Sequence, residues 1–262
     1  MNDILFPVML VTGIGIVAAV GLVVASKLFG VPVDEKASAI ESLLPGANCG
    51  GCGYSGCAAY ASAISEKGEK TNLCVAGGAE VAEEIGRLLG VESGFVRRVA
   101  VLHCGGGAEN APARVGYSGI DSCASVSALF GSLSGCAYGC IGMGDCAAVC
   151  PEHAISVASG LAHIDTGRCI GCGKCVSACP KHIISLSVIG GSPAVLCSNP
   201  LRGAAKRKAC AKSCIGCGQC VRACASGAVR LENGCAVIDG ALCSGCGKCV
   251  SACRFGCISI IG

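Results

Sequence analysis

The chain opens on an unbroken apolar run. From Ile4 to Ser26 no residue is charged, and Val, Ile, Leu, Ala and Gly fill most positions. At about 1.5 Å rise per residue such a run, coiled as a helix, crosses a hydrocarbon core of about 30 Å. A membrane span is therefore predicted within residues 1–30. A cleaved signal peptide is the alternative, but the run is too long for its apolar region and is preceded by Asp3 with no Lys or Arg. Lys27 and Lys36 follow the run, which places the C-terminal bulk on the cytoplasmic side of the cell membrane. Small residues recur four apart at Gly15/Ala19 and Gly21/Ala25, spacing that lets a partner helix approach closely. The pattern then turns amphipathic. Asp34 to Leu44 reads as a short helix with Ala37, Ile40, Leu43 and Leu44 on one side, ended by Pro45-Gly46. Helical sequence returns at Cys57–Ser65 and Ala79–Leu89. Near the C-terminus, Val229–Leu231, Asn233-Gly234 and Ala236–Ile238 read as strand, tight turn and strand.

Composition changes this picture. Among 262 residues there are 26 Cys and 41 Gly, only nine aromatics and no Trp, so much of the interior is organised around something other than large apolar side chains. Such cysteine density suits a secreted disulfide scaffold, but the spacing does not. Cys169-Ile-Gly-Cys172-Gly-Lys-Cys175-Val-Ser-Ala-Cys179 gathers four thiols in eleven residues, whereas disulfides staple segments distant in sequence. Thiols spaced this way serve as metal ligands in a reducing compartment.

The first thiol group is Cys49-Gly-Gly-Cys52-Gly-Tyr-Ser-Gly-Cys57, with Cys74 seventeen residues on. Glycine lets the loop curl round a small object, the Cys57–Ser65 helix returns the chain, and Cys74 closes a fourth position. Four thiolates satisfy a [4Fe-4S] cubane. Tetrahedral zinc is the other candidate, although structural zinc sites set two C-x-x-C pairs apart rather than three thiols plus one.

The remainder repeats itself. Cys140-Ile-Gly-Met143-Gly-Asp-Cys146-Ala-Ala-Val-Cys150 parallels Cys214-Ile-Gly-Cys217-Gly-Gln-Cys220-Val-Arg-Ala-Cys224. The octamer Cys-Gly-Lys-Cys-Val-Ser-Ala-Cys stands at 172–179 and again at 246–253. Each unit has the layout of a bacterial two-cluster ferredoxin, in which three thiols of one motif and the last of the other hold each cluster. The expected ligand sets are Cys214, Cys217, Cys220 and Cys253; Cys243, Cys246, Cys249 and Cys224; and Cys169, Cys172, Cys175 and Cys150. The remaining site breaks the rule because Met143 replaces a thiol, and Cys136 is its expected substitute beside Cys140, Cys146 and Cys179. Six thiols are then left over: Cys104, Cys123, Cys197, Cys210, Cys235 and Cys257. They read either as small buried hydrophobes or, for Cys104, Cys123, Cys197 and Cys210, as a sixth cluster.

The fold class that follows is α+β. A transmembrane anchor (1–30) precedes a small helical cluster domain (31–95) and two tandem two-cluster ferredoxin-like units (96–190 and 191–262). At least five [4Fe-4S] clusters are expected. No dinucleotide fingerprint, P-loop or haem motif is present, so the chain itself carries no catalytic residue, and nothing points to nucleic acid.

Leu44-Pro-Gly-Ala-Asn-Cys-Gly-Gly-Cys-Gly-Tyr-Ser-Gly-Cys57 and Cys74-Val-Ala-Gly-Gly78, followed by duplicated ferredoxin modules, resemble the B subunits of Rnf-type membrane ferredoxin–NAD oxidoreductases, in the longer form of anaerobic bacteria. The resemblance implies that electrons arrive from reduced soluble ferredoxin and leave to flavins and NAD on other subunits, coupled to sodium or proton movement. A multi-cluster redox sensor, a ferredoxin-like subunit of another membrane complex, and a zinc-stabilised scaffold are the competing readings. The net charge of +3 hides an asymmetry: residues 166–231 hold ten bases and no acid. That excess either offsets the negative charge of bound clusters or forms, around Arg202, Lys206, Arg207, Lys208 and Lys212, a docking face for an acidic ferredoxin.

Overall fold

A computed structural model of the chain describes residues 2–28 and 34–261. Helix α1 (Asn2–Leu28) is followed by α2 (Glu35–Leu43), α3 (Cys57–Lys67) and α4 (Gly78–Leu89). Each begins or ends as its sequence dictates. Asp34 caps α2 by accepting the Lys36 N–H at 2.9 Å, while Gly68 and Gly90 close α3 and α4 in the left-handed conformation. Ile40, Leu44, Tyr60, Ile64 and Ile85 form the core of this helical part, with Cys74 among them.

The expected span at Ile4–Ser26 extends past the described side chains at both ends. Those described in α1 are Met9 and residues 12–24, all exposed. Among the described residues, no helix is long and apolar enough to cross a membrane: thirteen consecutive side chains cover about 20 Å of helix axis, short of a hydrocarbon core. The backbone of α1 is nevertheless helical over 27 residues.

From residue 98 the chain is built of short elements: β1 (Arg98–Leu102), α5 (Gly107–Asn110), α6 (Cys123–Phe130), α7 (Asp145–Ala148), β2 (Ile155–Ala158), β3 (Leu161–Ile164), α8 (Lys174–Ala178) and β4 (Ile184–Val188). The second unit repeats the order with one helix in place of α5 and α6: β5 (Pro193–Val195), α9 (Gly203–Ala209), α10 (Gln219–Ala223), β6 (Val229–Glu232), β7 (Cys235–Ile238), α11 (Lys248–Ala252) and β8 (Ile258–Ile260). In each unit the first strand pairs antiparallel with the last, β1 with β4 and β5 with β8. Between them lies a hairpin, β2–β3 or β6–β7. The hairpin read at residues 229–238 forms, with Asn233 (φ 45°) and Gly234 (φ 73°) in its turn.

The four short helices α7, α8, α10 and α11 each start one residue before the third Cys of a motif and stop just before the fourth. In every motif the two glycines ahead of the helix have positive φ, as at Gly171 (71°) and Gly173 (76°). At Gly171 a Cβ would lie 2.4 Å from the Arg98 carbonyl oxygen, and at Gly142 2.5 Å from that of Gly160. The thiol loops are thus pressed against strand β1 and the β2–β3 turn, closer than any side chain permits. The cores themselves are small. Val99, Val101, Ile155, Ile183 and Ile184 pack with Cys146, Cys169 and Cys175 in the first unit, so thiol sulfurs are part of the interior.

Candidate cluster sites

Residue by residue, the fold gathers thiols into groups of four. Cys49, Cys52, Cys57 and Cys74 line one cavity of about 320 Å³. The Asn48 side chain holds the start of α3 there, its Oδ1 accepting the Cys57 N–H at 2.8 Å, and the Gly77 N–H donates to Cys74 Sγ at 3.3 Å. Cys150, Cys169, Cys172 and Cys175 line a second cavity of about 330 Å³, into which strand β1 aims a donor, Ala100 N–H to Cys169 Sγ at 3.3 Å. A third, also about 330 Å³, is lined by Cys123, Cys140, Cys146 and Cys179.

That third set corrects one expectation. Cys136 was the substitute expected for the missing thiol at Met143, yet Cys123 is the residue beside Cys140, Cys146 and Cys179, and Cys136 lines a different cavity with Cys104 and Cys210. The physical reason is an insertion. Cys104 to Cys136 is much longer than the matching Cys197 to Cys210, and the extra chain forms α6 with Cys123 at its first position. Cys123 packs on Val126 and Ile141 with Met143 against them, so a thiol from another element takes the place beside Cys140, Cys146 and Cys179. Asp145 fixes this arrangement. Its carboxylate accepts the backbone N–H groups of Cys123 (2.8 Å) and Ala124 (3.0 Å) and the Ser122 hydroxyl (3.1 Å). Although burial alone would raise the Asp145 pKa, those donors hold it below the usual carboxylate range. The signal was present in the sequence: where Asp145 stands, the other motifs carry Lys174, Gln219 and Lys248.

In the second unit Cys220 lies within electrostatic reach of Cys214 and Cys217, and Cys253 touches Cys257, which neighbours Cys214. Cys249 similarly neighbours Cys243 and Cys224. Cys224 of one motif thus lies beside Cys249 of the other. Cys235 and Cys257 push the Cys214 thiol down, while Cys197 and then Cys214 push Cys235 up and Cys214 and burial push Cys257 up. In the geometry Cys235 Sγ donates to the Asn199 carbonyl at 3.2 Å, and Cys257 Sγ lies 3.3 Å from Cys253 Sγ.

Burial acts the other way in the first unit. It pushes Cys146 up to about 12 and Cys175 up to about 11, with neighbouring thiols adding to both. Bare thiols there stay protonated, and only a bound cation would hold them as thiolates. Among the described residues no three His, Cys, Asp or Glu side chains converge tightly enough for a single metal ion. Four thiols ringing one cavity instead match a cluster, whose corners spread the sulfurs apart.

Family comparisons agree with the geometry. A model described as a putative Fe-S cluster domain matches residues 44–76. Two models described as 4Fe-4S binding domains match residues 162–185 and 236–259, and residues 208–227. The B subunit of the proton-translocating ferredoxin:NAD(+) oxidoreductase complex of Clostridium ljungdahlii is 41% identical over 92% of this chain and 86% of its own length. The chain belongs to that family of B subunits. The Na(+)-translocating counterpart from Acetobacterium woodii is 41% identical over 91% of this chain and 72% of its own. The B subunit of the ion-translocating oxidoreductase complex of Methanosarcina acetivorans is 42% identical over 55% of each chain. As a family member carrying several [4Fe-4S] domains, the chain is an electron-transfer subunit of an oxidoreductase complex.

His103 illustrates why no histidine is needed at these sites. Its ring nitrogens lie 2.8 Å from the Val195 carbonyl and 2.7 Å from the Ser185 hydroxyl, so it ties strand β5 of one unit to β4 of the other.

Proposed function

We propose that this protein is a membrane-anchored electron relay. It takes electrons from reduced ferredoxin and passes them through five [4Fe-4S] clusters toward the other subunits of an ion-translocating ferredoxin:NAD(+) oxidoreductase. The ligands are Cys49, Cys52, Cys57 and Cys74; Cys150, Cys169, Cys172 and Cys175; Cys123, Cys140, Cys146 and Cys179; Cys214, Cys217, Cys220 and Cys253; and Cys224, Cys243, Cys246 and Cys249. The observation that carries this reading is the set of three cavities, each ringed by four thiols.

When bound, each cluster supplies a one-electron site. The protein's own part is to hold the iron through thiolates and to aim N–H donors at the sulfurs, as Ala100, Ala154 and Gly77 do. Such donors stabilise added negative charge and so raise the potential.

Contacts between sites support a relay. A Cβ on Gly51 would lie 3.3 Å from Cys172 Cβ, so the first thiol loop abuts the second site. Cys175 is in turn an electrostatic neighbour of Cys146 in the third.

The anchor is α1, with its exposed Ile14, Val17, Val20, Leu22 and Val23. It leaves the ferredoxin-like units, residues 96–190 and 191–262, and the helical domain, residues 31–95, on the cytoplasmic side. NAD and flavin bind on other subunits.

Anaerobic purification of the full chain tests this reading. A brown protein in detergent, holding about 20 or more iron atoms per chain and reduced by ferredoxin, is expected. A colourless, zinc-holding protein would overturn it.

A further inference from the structure

Beyond those five sites, the two ferredoxin-like units line a further cavity of about 240 Å³. Its wall includes Cys104, Cys136, Cys197 and Cys210. None of these belongs to the five ligand sets. The duplication pairs them: Cys104 matches Cys197, and Cys136 matches Cys210, so each unit supplies two thiols. The two units also meet there, Cys104 and Cys197 forming an antiparallel bridge closed by the Gly105 N–H to the Leu196 carbonyl at 3.0 Å.

The four thiols converge. Cys210 is an electrostatic neighbour of Cys136, Cys104 and Cys197. A single carbon added at Gly106 would touch the sulfurs of both Cys104 (3.4 Å) and Cys210 (3.8 Å). Donors already point at them: the N–H groups of Gly106 and Cys140 to Cys104 Sγ, each at 3.4 Å, and the Asn199 amide to Cys136 Sγ at 3.5 Å.

One group on the wall calls for a hydrogen-bond-accepting occupant, and a buried cation lies nearby. The Ser213 hydroxyl, on the cavity wall, is fully buried and without a partner among the described residues. Lys206 is completely buried, and its ammonium donates to Cys235 Sγ at 3.1 Å and the Gly234 carbonyl at 2.9 Å, beside Cys197. Among the described residues no carboxylate pairs with it, and a buried cation is stable only near negative charge.

We infer that Cys104, Cys136, Cys197 and Cys210 hold a sixth [4Fe-4S] cluster at the junction of the two units. Cys140 lines both this cavity and the Cys123 site. On the other side Cys197 reaches Cys235, which reaches Cys214. The sixth cluster therefore closes the gap in the relay, receiving one electron from one unit and giving one to the other with no bond made or broken.

Iron and sulfide counting on the anaerobically purified full chain, with electron paramagnetic resonance during graded reduction, tests the inference. About 24 iron atoms are expected per chain, falling to about 20 in a Cys136→Ala/Cys210→Ala variant that keeps the remaining signals. A wild-type count of about 20 overturns the sixth site while leaving the five-cluster relay intact, and does so even if the variant fails to fold. A full count undiminished in the variant also overturns it. A count well below 20 instead sinks the relay reading itself.

Discussion

The carboxylate of Asp145 accepts the backbone N–H of Cys123 at 2.8 Å, joining an inserted helix to a motif that lacks one of its own thiols. Through that contact α6 enters with its first residue facing Cys140, Cys146 and Cys179. Charge placement helps, because an anion at a helix start meets unpaired N–H groups and the positive end of the helix dipole.

Removing the tether should loosen one site and spare the others. Asp145→Ala frees three donors and is expected to cost about 1–3 kcal/mol locally. The Cys123-containing cluster should then be lost first on exposure to oxygen. Cys123→Ala should remove about four iron atoms outright, or leave an incomplete cluster with a changed resonance. Iron analysis and resonance spectra of both variants check this; unaltered spectra in Cys123→Ala would return the fourth position to another thiol.

Gly51 offers a way to separate two sites without touching a ligand. A side chain there would meet Val75 Cγ2 at 2.6 Å and Cys172 Cβ at 3.3 Å. Gly51→Val should keep the full iron content yet slow electron passage between the helical domain and the first ferredoxin-like unit several-fold. Rapid-mixing kinetics with reduced ferredoxin would show whether a late reduction phase has slowed.

Tyr60 governs the alkaline limit of the helical domain. Its hydroxyl donates to the Lys70 carbonyl at 2.6 Å and accepts the Leu73 N–H at 3.1 Å, and burial pushes its pKa up to about 12. The folded state therefore favours the protonated phenol. Its stabilisation is complete below about pH 10, the unfolded value, and disappears as pH rises through about 12. Tyr60→Phe should cost about 1–3 kcal/mol at neutral pH by orphaning both partners. It should also flatten the fall in thermal stability of this domain between those limits, measured as loss of its cluster absorbance on heating.

The basic run near the second unit divides in two. Lys206 was expected with its neighbours on a docking face, but it is completely buried, whereas Arg202, Arg207, Lys208 and Lys212 are exposed. Reversing the exposed four should slow association with an acidic ferredoxin and flatten its salt dependence. Lys206→Met should instead change cluster content or potentials with little effect on association. Stopped-flow rates across ionic strength separate the two roles, and indifference to reversal would leave these residues as charge compensation alone.

In the proposed relay, membrane attachment rests on α1. Full-length protein should sediment with membranes, and a chain starting at residue 31 should be released with its iron retained. Fractionation decides it.

Much of this protein is determined locally and so could be read from the chain. Thiols three apart, separated by glycines, can wrap only a small nearby object, whatever lies elsewhere. The octamer at 172–179 and 246–253 made the duplication deducible, and the two apolar runs flanking Asn233-Gly234 gave away the hairpin. The helices at Asp34–Leu44 and Cys57–Ser65 were legible from residue types, whereas their caps at Asp34 and Gly68 are seen only in the structure. What local pattern does not contain is which distant thiol fills a gap. Cys123 and Cys136 are both cysteines with no motif around them, and only the path of the insertion, pinned by Asp145, brings the first to the Met143 site. The same holds for Lys206, one cation in a basic run until the packing of α9 put it in the interior. Contacts between residues far apart in sequence depend on how whole units meet, and that is decided by burial and close packing in three dimensions rather than by spacing along the chain.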